Sequence, residues 1–139
     1  MTKRIDKLCG VKDRAVDAAE AALAQARAST TAAEHALAAT EQAWHDAQAR
    51  SADALIIADL VDVDARARTL RQAVQRAEAN VRARKVEEER LLGAVANARM
   101  ELRRFEMWGE RADAVARATT SRLARNAEDA LAARNKRES

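Results

Sequence analysis

The feature that most restricts this chain is a sevenfold spacing of apolar and small residues, carried through a sequence with no proline to interrupt it. One row runs Cys9, Val16, Leu23, Thr30, Leu37, Trp44 and Ser51. A second row runs Ile5, Lys12, Ala19, Ala26, Ala33, Thr40 and Ala47. Two rows alternating at three and four residues form a narrow stripe along an α-helix, the pattern of a two-stranded coil. Alanine recurs beside the stripe at Ala15, Ala22, Ala36 and Ala43, which predicts a close approach between helices along that row. Composition agrees. Of 139 residues, 34% are charged and 2% aromatic, too few large apolar side chains for a sheet or a compact single core.

This phase fails after about residue 50, and none of Leu55, Ile56 and Ile57 continues the old rows. A new pair of rows follows. One is Leu60, Ala67, Val74, Val81, Glu88, Val95, Leu102, Gly109, Ala116 and Leu123; the other is Ile56, Val63, Leu70, Ala77, Arg84, Leu91, Ala98, Phe105, Ala112 and Thr119. Strong heptads on both sides of a phase break predict two helices joined by a turn, and short connections favour antiparallel neighbours. The expected fold is all-α: one two-helix antiparallel coiled-coil hairpin over residues 1–139, with a longer C-terminal helix. Helix 1 is expected at about 4–50, the turn within 50–62 and helix 2 at about 56–135, with Ser51, Asp53 and Asp59 as caps. A turn near residue 57 would set Thr30 against Arg84, Leu23 against Leu91 and Trp44 against Leu70. The alternative is one continuous helix with a heptad slip, dimerising in parallel.

At 1.5 Å per residue the two helices would span roughly 70 and 115 Å, so the first runs out opposite residues 99–109. RRFEMWGERADAV, residues 103–115, falls there and holds Phe105 and Trp108 beside Gly109. Gly109 opens a gap in the stripe that Trp108 or Ile5 could fill. The aromatic pair reads either as a plug closing the coil or as an anchor for a partner that receives the extension. Beyond it, Leu123, Ala127, Ala130 and Leu131 keep a helical stripe with no helix of this chain left to cover it.

Charge is unevenly placed within a formal net of +3. Between Ala15 and Ala65 the only basic residues are Arg27 and Arg50, against Asp17, Glu20, Glu34, Glu41, Asp46, Asp53, Asp59, Asp62 and Asp64. Both termini carry a basic excess. A hairpin would gather them at one end and leave the turn acidic, giving two ends suited to different partners, or simply a solvated surface.

The chemistry of an enzyme is not legible. His35 and His45 fall on outward positions, Cys9 falls on the stripe, and Gly10, Gly93 and Gly109 are isolated. EEER at 87–90 reads as an acidic patch on a helix. No catalytic residues, metal ligands or cofactors are expected, and no nucleic-acid binding, which would want denser Lys/Arg with interleaved aromatics than any part but the C-terminal end approaches. There is no apolar run of membrane length and no signal-peptide pattern, so a cytoplasmic protein is expected.

Two stretches resemble a known family. TLRQAVQRAE, residues 69–78, is similar to the early second-helix stretch of the FliJ/YscO proteins of type III export systems. FEMWGERADAVARA, residues 105–118, is similar to their late second-helix stretch. The N-terminal half matches in heptad character alone. The resemblance implies a non-enzymatic central stalk whose paired terminal ends enter the pore of a hexameric export ATPase, while the turn end points toward the membrane-embedded export gate. Some members of the family also bind secretion chaperones. The implied ring contacts are Phe105, Trp108, Leu123, Arg111 and Arg117, and the implied gate-facing residues are Leu70 and Ala73. The free protein would be a monomer at the cytoplasmic face of the secretion apparatus, associated with the membrane only through that apparatus. The competing expectations are a self-associating coiled-coil scaffold or a secreted helical hairpin, and, third, a peripheral membrane protein held by its basic C-terminal helix.

Overall fold

A computed structural model of the chain describes residues 2–53 and 57–138. All are helical: α1 is Thr2–Asp53 and α2 is Ile57–Glu138. The helices hold 52 and 82 residues, longer at both ends of α1 and at the C-terminus of α2 than the heptads alone predicted. Alanine, arginine, glutamate and leucine sustain them, since each loses little on entering a helix. Three of the four ends also suit the helix dipole: Asp59 lies in the first turn of α2, Arg50 in the last turn of α1, and Lys136 and Arg137 in the last turn of α2. Within the 50–62 interval where the connection was expected, 50–53 belong to α1 and 57–62 to α2. Ala54, Leu55 and Ile56, and with them the Ile56 position of the second register, lie outside the described residues.

The two helices pack against each other in two compact units. One is Ala18–Ala96. Its buried residues are Leu23, Thr30, Ala33 and Ala47 from α1 with Ala67, Val74, Val81 and Val95 from α2. Every one lies on a predicted row. The tightest is Val95, 2% exposed. Ion pairs cross between the helices: Arg27 Nε to Glu88 Oε1 at 3.6 Å and Lys85 Nζ to Glu34 Oε1 at 3.7 Å. Partners that rise in number along α1 fall in number along α2. Exposed pairs such as these add little stability but penalise a shifted register. Among the described residues Thr30 is the one buried polar side chain, and its Oγ1 donates to the Ala26 carbonyl at 3.0 Å, so the hydroxyl is satisfied within its own helix. Thr30 shares a groove with Lys85 and Glu88, while Arg84 lines a neighbouring groove with Ala26 and Ser29. Arg84, expected opposite Thr30, is exposed. A guanidinium there keeps its hydration by leaving the stripe.

The other unit joins Met1–Asp17 to Asn97–Ser139. Val16 is its buried residue, with Ile5, Cys9, Lys12, Leu102, Phe105, Gly109 and Ala112 half-buried around the same contact. From Asp113 to Glu138 every residue of α2 is exposed.

Two expectations are corrected. Ala15, Ala36 and Ala43 are exposed, so the flanking alanine row is solvent-facing and only Ala22 of that set is half-buried. The two stripe rows already fill the contact between two helices, and the flanking row has nothing to pack on. Leu60, the first residue of one second-register row, is 41% exposed, and burial on α2 begins at Val63.

Candidate partner-binding site

The residues implied as ring contacts all belong to the unit formed by the N-terminal part of α1 and the C-terminal part of α2. Phe105 is half-buried because its row position turns it toward α1. Lys12 reaches it from α1: Nζ lies 5.4 Å from the ring centroid and also binds Glu101 Oε2 at 2.5 Å. One lysine thus satisfies a carboxylate and an aromatic face together. That hydrogen bond, with the lysine's charge, holds the Glu101 carboxyl below the ordinary value of 4.5.

Trp108 stands three residues further along, edge-on to Phe105, with ring centroids 5.0 Å apart and planes at 77°. This T-shaped contact is favourable for aromatic rings. Trp108 remains 44% exposed. Ile5 packs into the gap beside Gly109: a Cβ built on Gly109 would lie 3.2 Å from Ile5 Cγ2. The Arg104 guanidinium lies 5.2 Å over the Trp108 ring. The aromatic pair therefore has two parts. Phe105 belongs to the contact between helices, and Trp108 faces outward with an arginine stacked on it.

Arg111 is exposed and lines a shallow concavity with Met100, Arg103, Arg104, Met107 and Trp108. Arg117 and Leu123 lie farther along the exposed part of α2, beyond the contact with α1, and Leu123 is 60% exposed. The structure thus groups Trp108 with Arg111 and leaves Arg117 and Leu123 apart from them. Met100 and Met107 were missed by sequence reading, which followed the inward stripe. The signal available was their sevenfold spacing on the opposite face.

Leu70 and Ala73, implied as gate-facing, lie in the Ala18–Ala96 unit and are both half-buried. Leu70 sits on the row that packs toward α1, so only part of its surface is offered outward. His35 and His45 are exposed, and His45 lies against Trp44 with ring centroids 5.3 Å apart. In the EEER stretch, Glu87 is bound by Arg90 at 2.5 Å, which lowers the carboxyl's pKa and raises that of the guanidinium. Among the described residues no group of three or more His, Cys, Asp or Glu side chains is placed to hold a metal ion, and no helix is long and apolar enough to cross a membrane.

Compared with known protein families, with curated proteins and with solved structures, the chain matches none of them.

Proposed function

We propose that this chain is a non-enzymatic central stalk of a type III protein export apparatus, of the FliJ/YscO kind. In this reading α1 and α2 form an antiparallel coiled-coil hairpin whose paired terminal ends enter the ring of the hexameric export ATPase. The observation that carries it is the contrast along α2. Ile5 and Lys12 lie against Gly109 and Glu101, yet every side chain from Asp113 to Glu138 is exposed. A long amphipathic helix left uncovered is costly unless a partner receives it. The similarity of residues 69–78 and 105–118 to family stretches supplies the identity of that partner.

The physical role needs no reacting group in the stalk. An asymmetric insert contacts the subunits of a symmetric ring differently. It stabilises some subunit conformations over others and so biases assembly and ATP turnover. Phe105, held by Lys12, fixes the depth at which the extension begins; Trp108, Arg111, Arg117 and Leu123 are the contacts offered to the ring. Leu70 and Ala73 face the export gate, and the stalk also binds secretion chaperones. The protein acts at the cytoplasmic face of the secretion apparatus and is a monomer when free.

The test is co-purification with a hexameric export ATPase from the same cell, comparing the intact chain with one cut after Arg104. Retention of the intact chain and loss of the shortened one supports the stalk. Equal retention of both, or of neither, contradicts it.

A further inference from the structure

We infer that the outward face of α2 between Met100 and Arg111 is a docking surface for an acidic amphipathic helix of a partner protein. Trp108 and Arg111 are shared with the proposed ring contacts. The inference rests on that reading for which protein supplies the helix, and on the face itself for the helix's chemistry.

Met100, Arg104, Met107, Trp108 and Arg111 recur at helical spacings that place them on one face, and with Arg103 they line one concavity. The face is opposite the row Leu102, Phe105 and Gly109 that packs toward α1. Its apolar members are large and uncovered: Met100 is 69% exposed, Met107 40% and Trp108 44%. Tryptophan, methionine and arginine are the residues most enriched where proteins bind each other.

Charge selects the occupant. The carboxylates nearest this face are already engaged: Glu101 by Lys12, with the weaker influence of the Arg104 charge, and both Glu106 and Glu110 by Arg103 at the edge of the concavity. Arg104 lies over the Trp108 ring, and no salt bridge to Arg104 or Arg111 is seen among the described residues. The two guanidiniums sit two helical turns apart, roughly 10 Å. A partner helix with carboxylates seven residues apart matches that spacing and meets the methionines and tryptophan with the apolar residues between. A lipid surface fits less well. Arg104 and Arg111 lie within the apolar stripe and not on a separate polar face, so insertion would carry both charges into the acyl layer.

The probe is a synthetic helical peptide of leucine and glutamate with the glutamates at heptad spacing. Its controls are the same peptide with lysine in place of glutamate, and phosphatidylglycerol vesicles. The readouts are the methyl resonances of Met100 and Met107 in the unaltered chain and Trp108 emission in a Trp44→Phe chain. The expected result is a shift of both methionine resonances and a blue shift of Trp108 with the glutamate peptide alone. Affinity should fall roughly tenfold or more in Arg104→Gln/Arg111→Gln, as for loss of paired interface charges, while helicity is unchanged. Absence of any shift with the glutamate peptide overturns the inference. So does an equal response to the lysine peptide, or a response to the vesicles alone. Absence of peptide binding by the unaltered chain, when that chain still co-purifies with the ATPase ring, overturns this inference and leaves the stalk standing.

Discussion

Ile5 and Gly109 meet so closely that a Cβ on the glycine would lie 3.2 Å from Ile5 Cγ2, whereas a Cβ on Gly10 or Gly93 would meet nothing within 4 Å. The three glycines are all mid-helix, where alanine is favoured by up to about 1 kcal/mol. Gly93→Ala is therefore expected to raise stability by about that amount. In Gly109→Ala the gain is offset by displacing Ile5, and the net change is expected near zero. Urea unfolding of the two variants checks this. An equal gain at both positions would mean that Ile5 does not pack on Gly109.

Val95 and Leu123 occupy the same heptad row and have opposite surroundings, 2% and 60% exposed. Val95→Ala removes two buried methyl groups and leaves a cavity, and is expected to cost about 2 kcal/mol. Leu123→Ala is expected to change stability by less than about 0.5 kcal/mol, as for an exposed site, yet to weaken retention on the ATPase ring. Thermal unfolding and co-purification of the same two variants separate the residue that holds the fold from the residue offered to the partner.

Thr30 is 6% exposed and its hydroxyl is spent on a carbonyl of its own helix. That carbonyl already accepts the backbone bond of the helix, so Thr30→Val leaves no group unsatisfied. The variant is expected to be as stable as the parent or more so, by up to about 1 kcal/mol. A substantial loss of stability, seen as a lower midpoint in urea, would mean that the hydroxyl serves the packing between helices.

The Lys12–Glu101 pair makes part of the stability pH-dependent. Glu101 is held below 4.5 by the lysine's hydrogen bond and charge. A carboxylate whose folded-state pKa is depressed stabilises the fold above its unfolded-state value, and that contribution is lost as pH falls through the folded-state value. Glu87, depressed by Arg90, adds to it with the same sign. Stability is therefore expected to fall as pH drops from about 5 toward 3, and to fall less in Glu101→Gln. Equal acid sensitivity in both chains would mean that the pair does not form in solution.

The buried residues were legible because burial here follows one period. Val16, Leu23, Ala33, Ala47, Ala67, Val74, Val81 and Val95 all stand on rows read from spacing alone, and so does Thr30. The flanking alanines were misread because small size permits close approach without requiring it. The bridges Arg27–Glu88, Lys85–Glu34 and Lys12–Glu101 were not legible, since which charge meets which depends on a register that one residue of slip would change. Ile5 as a residue filling the space at Gly109 was one of two options in the sequence, and the structure places it there. Met100 and Met107 escaped notice because a search along the inward stripe does not visit the outward face.

The whole account depends on the start of α1 lying beside the later part of α2 within one molecule. The direct measurement is a spin-label distance between Lys7→Cys and Glu106→Cys in a Cys9→Ser chain, diluted with unlabelled protein so that pairs within one molecule are read. Packed neighbouring helices place the two labels about 2 nm apart or less, and that distance should persist on dilution. A separation of several nanometres, or a short distance that disappears on dilution, would contradict the account.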